Sequence, residues 1–137
     1  MRHVNLGLLG LAGGYGSWID QVRPICGTWS VDTHRFQNIE KGPPFGTSPG
    51  EQDFERHCPR AYTTWSLSIS PTRDGEGDSQ FVDIIDIECV TVEPPRENFF
   101  VEQNSISPGS QRTNFSIASC PDGEVAVGIH GRAGQFV

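Results

Sequence analysis

Methionine occurs once in this 137-residue chain and alanine is sparse, whereas glycine occurs 16 times and proline 10 times. That balance excludes long helices, because glycine surrenders backbone entropy in a helix and proline removes a hydrogen-bond donor. No lysine or arginine cluster offsets the formal charge of -7. A polyphosphate would meet net repulsion, so nucleic acid and anionic membrane surfaces are set aside as partners. No stretch nears the roughly 20 apolar residues that span a bilayer. No Cys-x-x-Cys pair occurs either. The four cysteines stand far apart, at Cys26, Cys58, Cys89 and Cys120, which speaks against a zinc site or a redox dithiol. Their even number points to two disulfides in an oxidising compartment, hence to a secreted protein. His3, His34, His57 and His130 lack metal-ligand spacing and read as exposed or capping residues.

What is present is a repeat, within a length that suits one domain. Trp18-Ile19-Asp20 returns as Phe81-Val82-Asp83, Cys26 as Cys89, and Cys58-Pro59 as Cys120-Pro121. Ser48-Pro49-Gly50 returns as Ser107-Pro108-Gly109, so the offsets run from 59 to 63 residues. A third, partial copy starts at Cys120, where Gly128 to Gly134 reproduces Gly7 to Gly13. The units are about 4–58, 65–120 and a partial 121–137 within a single domain, 1–137. The opening segment has the basic start and apolar stretch of a short secretory signal. Glycines dilute it, however, and its pattern recurs near the other end of the chain, so we read it as part of the repeat.

Within a unit the apolar period is two, as in Trp65 to Ile69 and Val125 to Ile129, and predicts antiparallel strands. Phe81 to Cys89 is the strongest strand, rich in β-branched residues. The polar, proline-bearing stretches 33–50 and 92–109 read as long surface loops. The module from Cys58 to Cys89 is complete, so those two cysteines are expected to pair. Cys26 closes a module without an opening cysteine and Cys120 opens one without a closing cysteine. If the termini meet, Cys26 pairs with Cys120, although four cysteines allow three arrangements.

The order Cys-Pro, strand, glycine-rich turn, aromatic-x-Asp, strand resembles the jacalin-related lectins, and Gly16-Ser17-Trp18-Ile19-Asp20 is similar to their Gly-x-x-x-Asp sugar loop. The cysteine placement and Gly77-Asp78-Ser79 ahead of Phe81 are also similar to the vitelline membrane outer layer protein family. Both resemblances imply an all-β chain folded as a β-prism of Greek-key antiparallel sheets with pseudo-threefold internal repeats. The partial third unit implies that another segment or chain completes the prism, so a homo-oligomer is expected. The resemblance to the lectins implies that glycans are the partner. It also implies carbohydrate-binding residues at Gly13, Gly14, Gly16, Ser17, Trp18 and Asp20, with a weaker copy at Asp78, Ser79 and Asp83 and a contribution from Gly134.

A sugar hydroxyl both donates and accepts, so its site needs a fixed carboxylate and backbone amides. Asp20 is the candidate acceptor, Gly16 lets the backbone approach the ring, and Trp18 either faces the sugar or packs in the core. On this reading the turn projects the Asp20 carboxylate into solvent. The alternative is that Asp20 caps its own turn and the chain is a structural β-prism protein without a sugar site. Catalysis is not expected and no cofactor is called for: Asp86 and Glu88 share one strand face while Asp83 lies on the other, which suits a solvated surface better than a glycosidase pair. The acidic turn Asp74 to Asp78 lacks the ligand order of an EF-hand.

Overall fold

The structure, a computed structural model, describes residues 6–16, 19–46, 49–59, 61–71, 82–95, 97–100, 116–120 and 125–128. The described residues are all-β, with curled antiparallel sheets and no helix. The first sheet holds β1 (Leu6–Tyr15), β2 (Ile19–Ser30), β3 (Arg35–Lys41) and β4 (Gln52–His57) in the order β3-β2-β1-β4. The second holds β5 (Tyr62–Pro71), β6 (Val82–Thr91), β7 (Asn98–Phe100) and β8 (Ser116–Ser119) in the order β7-β6-β5-β8.

The two orders are the same, and so are the registers of the two central strands. Leu8 pairs with Cys26, and a bulge precedes the pair Gly10–Ile25. Thr64 pairs with Cys89, and a bulge precedes the pair Ser66–Glu88. Gly10 also faces His57 as Ser66 faces Ser119. The Cys58 N–H donates to the Leu9 carbonyl at 2.7 Å, and the Cys120 N–H donates to the Trp65 carbonyl at 2.9 Å. A bulge leaves backbone groups outside the ladder; here the cysteine that ends each fourth strand takes up the freed carbonyl. The repeat read from the residues is thus a repeat of pairing.

The middle strand of the first sheet is buried on both sides, which explains its apolar and glycine run in place of clean alternation. Its inner face presents Leu11, which clusters with Ile19, Val22 and Phe54 against Cys58, Ile87 and Cys89. Ile19 is 0% and Leu11 2% exposed, and full burial of such a side chain contributes about 1.5–3 kcal/mol. On the other face Leu9, Ala12 and Ile25 pack with Trp29 and Phe36, whose rings meet edge-on at 5.1 Å.

Two sequence expectations are corrected here. The stretches 33–50 and 92–109 are not plain loops, because β3 and β7 lie within them. Only Phe36 is buried in β3, since an edge strand with one covered side needs few apolar residues, and β7 is three residues long. Val125 to Gly128, predicted as a strand, is not part of either ladder. Instead Ala126 donates to the Thr64 carbonyl at 2.9 Å and accepts from the Leu8 N–H at 2.8 Å, bridging the first strand of one sheet to that of the other.

The expected Cys58–Cys89 disulfide is present, with Cα atoms 5.9 Å apart. It links the end of the fourth strand of the first sheet to the second strand of the second. The expected Cys26–Cys120 bond is not formed, and Cys26 is a free thiol. The same linkage would require the first sheet to follow the second as the second follows the first. Residues 125–128 lie beside the first strands of the two sheets, with Ala126 bonded to Leu8 and Thr64. Burial pushes the Cys26 thiol pKa up, so near neutral pH iodoacetamide should label Cys26 more slowly than glutathione, as read by peptide mapping. Equal rates would contradict a covered thiol.

Candidate functional site

The candidate site lies where β1 turns into β2. Gly14 faces Gln21 and Tyr15 faces Ile19, with a register shift between them. The Pro49-Gly50-Glu51 turn is seated on this hairpin end, and the Glu51 N–H donates to the Tyr15 carbonyl at 3.0 Å. The Tyr15 hydroxyl donates to Gln52 Oε1 at 2.8 Å, and its ring packs on Phe54 at 6.4 Å.

Glycine is required twice for this seating. Gly50 has φ +76°, and a Cβ there would come within 2.6 Å of the Tyr15 nitrogen and 2.9 Å of Asp20 Oδ2. A Cβ on Gly14 would meet the Pro49 carbonyl oxygen at 1.8 Å. Gly16 is different, since the nearest atoms to a Cβ there would be Asp20 Oδ2 and the Glu51 carboxyl carbon, both at the ordinary distance of 3.7 Å. The Cβ position of Gly16 is thus a methyl-sized notch bordered by the Asp20 and Glu51 carboxyls.

Asp20 is 7% exposed, which corrects the expectation that its carboxylate projects into solvent. The cause lies far away in sequence: the turn around Gly50 folds down over the hairpin and covers it. Gly13 is packed backbone to backbone, a Cβ there falling 1.8 Å from the Gln21 carbonyl oxygen. Gly14, Gly16 and Asp20 are thus brought together, while Ser17, Trp18, Asp78, Ser79 and Gly134 lie outside the described residues. Asp83 is placed by its backbone in β6, a strand of the other sheet. Gly50 and Glu51 were not singled out as site residues from the sequence, although the repeated Ser-Pro-Gly turn was the signal that could have found them.

Neither described histidine is placed for metal binding. His34 Nδ1 meets Glu93 Oε1 at 2.8 Å, both well exposed, and His57 lies 3.7 Å from Glu55. Among the described residues no cluster of three or more metal-ligating side chains occurs, and no helix is long and apolar enough to cross a membrane.

A pair of carboxylates beside a glycine can accept hydrogen bonds from neighbouring hydroxyls. Each bond to a charged acceptor is worth about 1.5–3 kcal/mol. No family model matches the chain, and neither a curated protein nor a solved structure is significantly similar to it.

Proposed function

We propose that this chain is a carbohydrate-binding protein, a lectin of the jacalin-related kind, and that the notch over Gly16 receives the sugar. The observation that carries the reading is the convergence of Asp20 Oδ2 and the Glu51 carboxyl on the vacant Cβ position of Gly16. The buried Asp20, with Gly50 beside its Oδ2, would supply one acceptor, and the exposed Glu51 a second. The proposed scaffold is a β-prism with pseudo-threefold repeats. Its support is the shared strand order of the two sheets and the bonding of Ala126 to both first strands, where a third first strand belongs. A disulfide in a chain of this size is compatible with an extracellular setting. Association into a homo-oligomer would present several weak sites together and raise avidity.

Gly16→Ala tests the reading, because a methyl group fits there at ordinary contact distance and should leave the fold unchanged. On a glycan array the wild-type protein should bind a defined set of glycans and Gly16→Ala should lose them by steric filling of the notch. Wild-type binding that Gly16→Ala retains in full would remove the notch from consideration.

The burial of Asp20 favours a second reading, in which the carboxylate braces the Gly50 turn and the protein is a structural β-prism without a sugar site. A folded wild-type protein silent on every glycan, with Asp20→Asn lowering stability, would select it.

A further inference from the structure

The hydrogen-bond register sorts the outer face of the first sheet into rows. Gly14 stands between Gln21 and Asp53, Ala12 between Arg23 and Glu55, and Gly10 between Ile25 and His57. Lys41 lies beyond Ile25 on β3. Directly paired residues of an antiparallel ladder project to the same face. The middle strand therefore offers only glycine and alanine here, while the strands on either side carry long polar side chains. The result is a trough, closed at one end by Pro49, whose carbonyl oxygen lies over Gly14.

The concavity itself is an independent observation. A region of about 380 Å³ is lined by Ala12, Gln21, Arg23, Asp53 and Glu55. A second cleft of about 630 Å³ is lined by Leu9, Ile25, Phe36, Ile39 and Tyr62. Both are also lined by Lys41 and Glu55, whose ion pair at 2.8 Å joins them. Both volumes fall in the roughly 300–1,000 Å³ range of small-molecule sites.

The chemistry of the walls defines the ligand. On the β2 and β3 side stand donors: the Gln21 amide, the Arg23 guanidinium and the Lys41 ammonium. Arg23 is steadied by its Nε donating to the Gly42 carbonyl at 2.8 Å, and the Gln21 amide donates to the Gly46 carbonyl at 3.2 Å. On the β4 side stand two carboxylate acceptors, Asp53 and Glu55. Lys41 holds the Glu55 carboxyl below its ordinary pKa, so it is ionised at neutral pH. Two cations face two anions, so no net charge selects a charged ligand. A neutral molecule whose polar atoms both donate and accept satisfies the two walls at once, and sugar hydroxyls do this. The adjoining cleft, with exposed Ile39 and half-buried Tyr62 in its lining, suits the C–H faces of further rings.

We propose that this trough is a second binding site, taking a short neutral oligosaccharide laid across the Lys41–Glu55 pair. It does not include Asp20 or Glu51, so it stands or falls separately from the Gly16 notch. Backbone amide shifts in the ¹⁵N-labelled full chain, titrated with mannotriose, cellotriose and N-acetylchitotriose, test it. At least one of these probes should move the Gln21, Arg23, Asp53 and Glu55 amides saturably. Asp53 is exposed, so Asp53→Ala should leave the dispersed spectrum intact. It should weaken the trough titration about tenfold or more, the loss expected for one bond to a charged acceptor. Gly16→Ala should leave the trough titration unchanged. Shifts confined to Gly16, Asp20 and Glu51 would sustain the notch and overturn the trough. Trough shifts indifferent to Asp53→Ala, or no shift at those four amides with any probe, would also overturn it.

Discussion

Removing the disulfide with Cys58→Ala and Cys89→Ala together is expected to lower the unfolding free energy by roughly 3–4 kcal/mol, the chain-entropy value for a cross-link of this span. The cysteines are 31 positions apart, and among the described residues they belong to a core cluster drawn from both sheets, with Leu11, Ile19, Val22, Phe54 and Ile87. The loss should therefore act at the junction of the sheets: a urea titration should show a lower midpoint, and hydrogen exchange should rise where β1 meets β5 and β2 meets β6. Reducing the wild-type protein should reproduce both effects. A midpoint unchanged by the double substitution would mean that the sheets dock without help from the cross-link.

Gly50→Ala is expected to cost roughly 2–5 kcal/mol and to abolish glycan binding with it. An L side chain at φ +76° incurs about 1–2 kcal/mol of strain. Its Cβ would also press on the Tyr15 nitrogen at 2.6 Å, a backbone atom that moves only if the turn leaves the hairpin; overpacking of this kind adds about 1–3 kcal/mol. Lifting the turn uncovers Asp20 and carries Glu51 away from Gly16, so the acceptor pair is lost together with the stability. Gly16→Ala is the internal control, because it adds the same methyl group four residues before Asp20 without either penalty. Thermal melts of the two variants should differ plainly. Equal melting temperatures would mean that the turn is not seated over Asp20.

The strands that could be read in advance were those with one face in the core and strong local composition. Trp65 to Ile69 falls within β5 and Val82 to Cys89 within β6, Phe81 lying outside the described residues, and the recurrence of Cys26 as Cys89 marks equivalent places in two sheets of the same order. The edge strand β3 escaped because only Phe36 among its residues is buried, so no alternation is written into it. Positive φ at Asn38 further breaks its pattern. Asp20 was recognised as a special residue, but its surroundings were not, since what covers it arrives from Pro49 to Glu51. Burial set by a distant turn leaves no local trace around the residue it covers. The same holds for Cys26, whose expected partner depended on how the sheets would meet, which the residues around it do not record.

Soaking crystals of the protein with mannose and with galactose is the most direct test of the proposed sugar site. The account predicts a hexose over Gly16 with adjacent hydroxyls donating to Asp20 and Glu51. A notch that stays empty at saturating sugar, with the Asp20 carboxylate bonded solely to its own chain, would contradict it.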